Sequence, residues 1–459
     1  MCIYMPLDIY FFSSLSPTLT STPTALPPLS TMKLSHSLLL TALSASSCAA
    51  AEDLQDEHPV LLLSEDESFH FELLVPLGEA IGGGSDINPM LLAAKNITPG
   101  DLDSFSEVFY QLANETKAQA EDPAFAYDPV NVRDAWFSAA TYFRRADFYL
   151  HSDWEDPLIN SLWEEQTAAF NKGLAALPSP GKRVRIKADN FTVEAIWYTE
   201  SEHSLRPTII MGNGYDGAQE DLYHIVVTGA LARGWNVLTY EGPGHPSVRR
   251  NQNLGFIPDW ERVVTPLVDY LLKEKAAAVD PEKLALFGYS FGGYQAARAA
   301  AFEPRIKAVL CNGGVWDTYE SFSSGFTPEM KELFESGNKE EFDKISEKLR
   351  KDPKTPTTFR WGMNQGLWSF NVRSPYDFMQ LTKQHTLKDV VHRIKAPVWI
   401  ADAEFEGFFK GQSAKVKKAL GDQADLHVFR GAAGYHCQTG AGQEMMRVMF
   451  AWLHKTLGV

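Results

Sequence analysis

Apolar positions along this chain follow two rhythms, and the change falls near residue 180. Between residues 55 and 180 they recur every three or four residues. Phe105, Val108, Phe109 and Leu112 form one such stripe, and Asp101, behind Pro99-Gly100, stands where an N-cap carboxylate would receive the first free N–H groups. Residues 135–150 and 162–174 read as two further helices, and their aromatics read as core rather than as a ligand-binding box. Residues 183–187 and 192–198 then alternate as a hairpin. From there to the C-terminus short apolar runs, at 207–211, 235–240, 283–287, 396–401 and 424–429, are separated by helical stretches. Strands spaced by helices imply a mostly parallel, doubly wound α/β sheet. Residues 316–395 interrupt the alternation with a charged helix around 331–351 and a stretch holding Trp361, Trp368 and Phe370. The expected organisation is a helical cap over 55–180 and an α/β core over 181–459, with 316–395 inserted as a lid.

The loops that follow the apolar runs carry the chemistry. Gly288-Tyr289-Ser290-Phe291-Gly292 lies between the run at 283–287, itself preceded by a turn at Asp280-Pro281-Glu282, and an alanine-rich helix at 293–301. A G-x-S-x-G alone arises by chance in roughly one chain in seven of this length, at ordinary glycine and serine frequencies. A strand, a sharp turn and a helix around it are what a nucleophile elbow requires. The turn lifts the serine oxygen clear of the sheet edge, and the glycines relieve crowding of the strained backbone. The rival reading is a surface turn that happens to carry serine.

A serine hydroxyl is barely nucleophilic at neutral pH and needs a base. In folds built on this elbow the acid and then the histidine follow the serine. The run at 396–401 leads into Asp402, Glu404 and Glu406. The acid usually lies a few residues past the strand end, which favours Glu406 and leaves Asp402 and Glu404 open. The run at 424–429 leads into Gly431-Ala432-Ala433-Gly434-Tyr435-His436-Cys437, a small-residue loop presenting one histidine. Ser290, Glu406 and His436 are thus the expected catalytic set. Gly212-Asn213-Gly214-Tyr215-Asp216-Gly217 follows the run at 207–211 and can aim a backbone N–H at a developing oxyanion. The second N–H comes from the residue after the nucleophile, so Tyr215 and Phe291 are assigned the oxyanion hole through main chain. Glu241-Gly242-Pro243-Gly244-His245 would sit beside the site, and His245 is assigned no role because His436 already supplies the base.

Together, G-N-G-Y-D-G, E-G-P-G-H, D-P-E-K-L-A-L-F-G-Y-S-F-G-G-Y and A-G-Y-H-C-Q resemble one branch of the α/β-hydrolase superfamily. That branch has an N-terminal helical cap and includes 2,6-dihydroxypseudooxynicotine hydrolase and the hydrolases of fungal polyketide clusters of fusarin and cytochalasan type. The similarity spans roughly residues 100–459, with the specific motifs at 212–244, 280–293 and 397–438. Two positions depart from the pattern: Glu406 stands where Asp is commoner, and His245 where Gln is usual. The resemblance implies an α/β-hydrolase fold, cleavage of ester-like or C–C bonds, and a place in fungal secondary metabolism. Some members rearrange or cyclise instead, so it carries no substrate with it.

Composition sets the outer limits. The 459 residues, 44% of them hydrophobic, can bury a large core in two or three domain-sized units. A formal net charge of −16 argues against nucleic acid and anionic membrane surfaces, both of which favour basic patches. No apolar run reaches the roughly eighteen residues a membrane span needs. Internal repeats are absent, which excludes a propeller-capped peptidase. From Met32, Lys33 precedes a largely apolar stretch at 34–45 and then Ser46-Ser47-Cys48-Ala49-Ala50-Ala51, ahead of Glu52-Asp53. Residues 32–51 therefore have the form of a secretory signal peptide, with a mature chain expected to begin near Glu52 and to enter the secretory pathway. Residues 1–31, rich in Ser, Thr and Pro, look like no domain and read as a disordered extension or as sequence upstream of a true start at Met32. Sequons at Asn96, Asn114 and Asn190 fit a secretory route. Outside the leader, Cys311 and Cys437 read as two buried thiols, with a disulfide between them left open, and no metal-binding pattern is present.

These residues predict a serine-type hydrolase acting on a small, apolar, carbonyl-bearing substrate (an ester, a lactone or a C–C bond), without cofactor or metal. A homodimer is left open. The rival readings are a cyclase or isomerase that uses the same machinery with water kept out, and a catalytically silent ligand-binding relative, against which the intact Ser, Glu, His order argues.

Overall fold

The computed structural model describes residues 58–459; the leader at 32–51 and the extension at 1–31 lie outside the described residues. Eight strands form one sheet in the order β1-β2-β4-β3-β5-β6-β7-β8. They are β1 (Lys182–Lys187), β2 (Thr192–Tyr198), β3 (Arg206–Gly212), β4 (Asn236–Glu241), β5 (Val279–Tyr289), β6 (Ala308–Asn312), β7 (Val398–Ala403) and β8 (Ala424–Phe429). β1 and β2 form the antiparallel hairpin, β2 joins β4 antiparallel, and every later pairing is parallel. Every residue of β4 and β6 is buried, so both faces of the central sheet are covered. This is why the run at 235–240 shows no apolar–polar alternation.

The turn at Asp280-Pro281-Glu282 falls inside β5 rather than ahead of it. Val279 pairs with Arg206, and the pairing resumes at Leu284 with Thr208. The residues between bulge outward, with the Glu282 N–H donating to Asp280 Oδ1 at 3.0 Å. Proline has no N–H for a ladder bond, so its insertion displaces the chain there.

Among the described residues, five α-helices stand ahead of the sheet: α1 (Glu67–Glu79), α2 (Ile87–Asn96), α3 (Leu102–Glu121), α4 (Pro129–Asp147) and α5 (Leu158–Ala175). Asp101 caps α3, accepting from the N–H groups of Asp103 and Ser104, each at 3.1 Å. Phe105 and Phe109 on α3 are fully buried, with Val108 and Leu112 packed beside them. After β5 comes α6 (Gly292–Ala300). Between β6 and β7 lie α7 (Thr318–Phe322), α8 (Pro328–Glu335), α9 (Lys339–Lys351), α10 (Thr357–Phe370) and α11 (Pro375–Thr382). The charged stretch is therefore two helices. Gly337 breaks it with φ +78°, and the Asn338 side chain caps α9. Trp361, Trp368 and Phe370 all lie on α10 and are buried. α10 packs on the N-terminal helices, where Trp368 stacks on His151 with ring centroids 5.1 Å apart. No helix among the described residues is long and apolar enough to cross a membrane.

Candidate active site

Ser290 occupies the step between β5 and α6 with φ +59°, a left-handed conformation that costs a non-glycine residue about 1–3 kcal/mol. The turn is held by the Ser290 N–H, which donates to the Asn312 carbonyl at the end of β6 at 2.6 Å. Gly288 is required here: a Cβ would lie 1.9 Å from the Gly292 carbonyl oxygen. At Gly214 a Cβ would lie 2.8 Å from the Ser290 Cβ, which places the loop after β3 directly against the serine.

The loop after β7 brings Glu406 to the histidine. Glu406 Oε2 accepts from His436 Nδ1 at 2.7 Å, and Ser290 Oγ lies 2.8 Å from His436 Nε2. Glu406 Oε1 is fixed by the N–H groups of Phe408 and Phe409, at 2.9 and 3.0 Å. The two other carboxylates are turned elsewhere. Asp402 accepts from the Ala403 N–H, and Glu404 accepts from Arg430 and from the Gly431 N–H. With Nδ1–H committed to Glu406, Nε2 is free to accept the serine proton.

Electrostatics follow from burial and pairing. Burial works to raise the Glu406 carboxyl, but the His436 charge and the hydrogen bonds outweigh it and hold Glu406 below the usual carboxylate range. Burial disfavours the His436 imidazolium, while Cys437 and Glu406 favour it, and the balance lies well above the ordinary histidine value. Burial also pushes the Cys437 thiol up, while the neighbouring His436 pulls it down. Cys437 Sγ lies 3.4 Å from His436 Nε2 and donates to the Asn312 carbonyl at 3.2 Å. Cys311 is likewise a buried free thiol.

The loop after β3 is tied down on both sides. Asn213 Oδ1 accepts from the Gly214 N–H at 2.8 Å, and Asn213 Nδ2 donates to the Ala218 carbonyl at 2.7 Å. His245, fully buried, accepts from the Gly242 N–H at Nδ1, so its Nε2–H donates to the Asn213 carbonyl at 3.2 Å. Its place is therefore in joining the loops after β3 and β4. Tyr215 is held by α10: its hydroxyl donates to the Gly362 carbonyl at 2.7 Å, and its carbonyl accepts from Gln365 at 3.2 Å. Among the described residues, the N–H groups of Tyr215 and Phe291 have no protein acceptor.

Over the serine lies a cavity of about 380 Å³ whose walls come from all three parts of the chain. α1 contributes Phe71 and Val75, α7 contributes Phe322, α10 contributes Trp361, and the loop after β7 contributes Phe408. Most of the lining is apolar. The exceptions from the N-terminal helices, Glu72 and Arg145, escaped the sequence reading. Their signal was thin, because Arg145 sits in Arg144-Arg145-Ala146-Asp147 at a helix C-terminus, where exposed cations are ordinary. Here both arginines are buried. A faint clue to α1 was Asp66 as N-cap ahead of Phe69 and Leu73, four residues apart. The sequon residues Asn96, Asn114 and Asn190 are all exposed, at the end of α2, on α3 and between β1 and β2.

The sequence profile of the alpha/beta hydrolase family matches residues 209–442, the span from β3 past His436. The chain belongs to the alpha/beta hydrolase family. Within it, the chain is 30% identical to the hydrolase LUC6 of Fusarium sp, over 85% of this chain and 97% of that protein. It is also 30% identical to the 20-hydroxy-prefusarin hydrolase FUS2 of Gibberella moniliformis, again over 85% and 97%. The solved structure of 2,6-dihydroxy-pseudo-oxynicotine hydrolase shares the fold, with a TM-score of 0.65 at 20% identity, covering 83% of this chain and 95% of that one. The likeness of this alpha/beta hydrolase to all three takes in the N-terminal helices as well as the sheet.

Proposed function

We propose that this alpha/beta hydrolase is a serine-type enzyme acting on small, apolar, carbonyl-bearing organic molecules. The observation that carries the reading is the unbroken relay from Glu406 through His436 to Ser290, at 2.7 and 2.8 Å. His436 Nε2 takes the Ser290 proton as Oγ attacks the substrate carbonyl carbon. The N–H groups of Tyr215 and Phe291 receive the oxyanion, and Glu406 stays ionised to stabilise the imidazolium. Collapse expels the leaving group, which takes its proton from His436. Water, deprotonated by the same imidazole, then attacks the acyl-enzyme, releases the acid and returns the proton to Ser290.

The apolar, aromatic wall of the cavity supports a carbon-rich substrate. The relative named 20-hydroxy-prefusarin hydrolase supports a secondary metabolite as its source. The leader form of residues 32–51 and the exposed sequons support a secretory route, which N-terminal sequencing of protein from the native host tests.

The test of the nucleophile is turnover of p-nitrophenyl esters together with fluorophosphonate labelling. Wild-type protein should hydrolyse the esters and carry the label on Ser290. Ser290→Ala should lose both while keeping its circular dichroism. A folded Ser290→Ala protein with ordinary turnover overturns the reading.

A further inference from the structure

The cavity over Ser290 is mostly apolar, and besides Asn213, Ser290 and His436 its lining holds, at one end, a buried carboxyl and a buried guanidinium that stand together. Glu72 on α1 and Arg145 on α4 both line it, and both are at least 95% buried, with exposures of 5% and 3%. Arg145 Nη1 donates to Glu72 Oε2 at 3.3 Å. Among the described residues, the other carboxyl oxygen, Oε1, makes no hydrogen bond, and Glu72 lines the cavity. Asp216, next to Tyr215, lines the same end, and its backbone carbonyl accepts from Arg144.

The local charge count decides what this end can bind. Four carboxyls, Glu72, Glu79, Asp216 and Asp221, share two guanidinium groups, those of Arg144 and Arg145. A fifth acid of the cluster, Asp147, is held by Arg250 at 2.8 Å and also lies 3.6 Å from Arg144. In a site shut off from water, carboxyls in excess of their cations keep their protons. Burial pushes Glu72 up to about 8, with Asp216 and Asp221 adding to the rise and Arg145 and Arg144 opposing it. Asp216 is pushed up for the same reason. At neutral pH Glu72 therefore presents an O–H donor beside a guanidinium.

We propose that Glu72 and Arg145 form a polar anchor for a second oxygen acceptor of the substrate, a carbonyl or hydroxyl oxygen remote from the carbonyl that Ser290 attacks. The substrate is then an oxygenated compound with at least two oxygen functions, one seated at the anchor and one at the serine. A plain hydrocarbon acyl group leaves the anchor unpaired, and an unpaired buried polar group costs binding. This inference rests on the reading of Ser290 as nucleophile.

The experiment compares p-nitrophenyl esters bearing a ketone at successive acyl carbons with their unsubstituted counterparts, by the ratio of kcat/KM within each pair. Wild-type protein should favour one ketone position, and Glu72→Leu should erase that preference by about 10- to 100-fold. Glu72→Gln, which keeps a donor, should restore it. In wild-type protein the preference should decline as pH rises through about 8, where Glu72 loses its proton, and in Glu72→Gln it should not. The pH comparison stands alone if Glu72→Leu fails to fold. No ketone preference in wild-type protein, a preference unmoved by Glu72→Leu, or a preference for amino-substituted esters instead would overturn the anchor. Absence of all ester turnover would overturn the nucleophile instead, so the two failures are distinguishable.

Discussion

Trp361 of α10 stacks on Phe148 at the C-terminal end of α4, with ring centroids 5.5 Å apart and planes 10° from parallel. The same indole meets Tyr215 edge-on at 6.0 Å and Phe408 at 6.1 Å. One side chain therefore joins the inserted helices, the N-terminal helices and the loop proposed to hold the oxyanion. Trp361→Ala should cost about 3–5 kcal/mol of stability, read from urea unfolding. It should also raise KM more than it lowers kcat, because the cavity loses a wall while the relay stays in place. An unchanged KM would show that Trp361 serves packing alone.

Glu406 should be the one severe carboxylate of its loop. Glu406→Gln leaves the imidazole without its charged partner and should cost about 10³- to 10⁴-fold in kcat. Asp402→Asn and Glu404→Gln should each cost roughly tenfold or less, since neither touches His436. A crippled Asp402→Asn beside a mild Glu406→Gln, at matched stability, refutes the assignment.

The pH dependence of kcat/KM follows from His436. As the proposed base, His436 must be neutral to accept the serine proton, and its pKa lies well above the ordinary histidine value of 6.5. Activity on unsubstituted esters should therefore rise with pH, with a midpoint above 6.5. Glu406→Gln removes the counter-charge and should move that midpoint downward, which a pH–rate profile reads directly.

Stability should decline as pH rises from 6.5 to 8.5. Burial lowers His70, His151, His224, His245 and His385 to about 4, so between 4 and 6.5 the unfolded chain binds more protons at these groups and stability rises with pH. Burial raises Glu72 and Glu79 to about 8 and Glu241 to about 7. At those three groups the folded chain binds more protons above the ordinary value of 4.5, so their share of stability falls until pH passes 7 to 8. Below 6.5 the five histidines are opposed by these glutamates and by Asp216 and Asp402, which burial also raises; above it the histidines no longer contribute, and the glutamates, together with His436, whose imidazolium the folded chain favours, make stability decline. Melting temperatures at pH 5, 6.5 and 8.5 check this, and Glu79→Gln should flatten the alkaline side.

What the chain states locally, it states well. Each central strand is a run of apolar residues because both faces of the sheet are covered, and each active loop follows such a run. The elbow at Ser290 and the helix cap at Asp101 depend on neighbours within a few residues, so they are legible in one dimension. Even the preference for Glu406 over Asp402 follows from distance past the strand end. Tertiary structure alone decided that Glu72 and Arg145, 73 residues apart, meet in the lining of the cavity over Ser290, and that Trp361 stacks there on Phe148. It also decided the place of His245, whose ring joins two loops by bonds to Gly242 and Asn213. A charged or aromatic residue on a helix carries no local mark of which neighbour will bury it. Its partner is chosen by helix packing across long stretches of chain, and with it the protonation state that burial imposes.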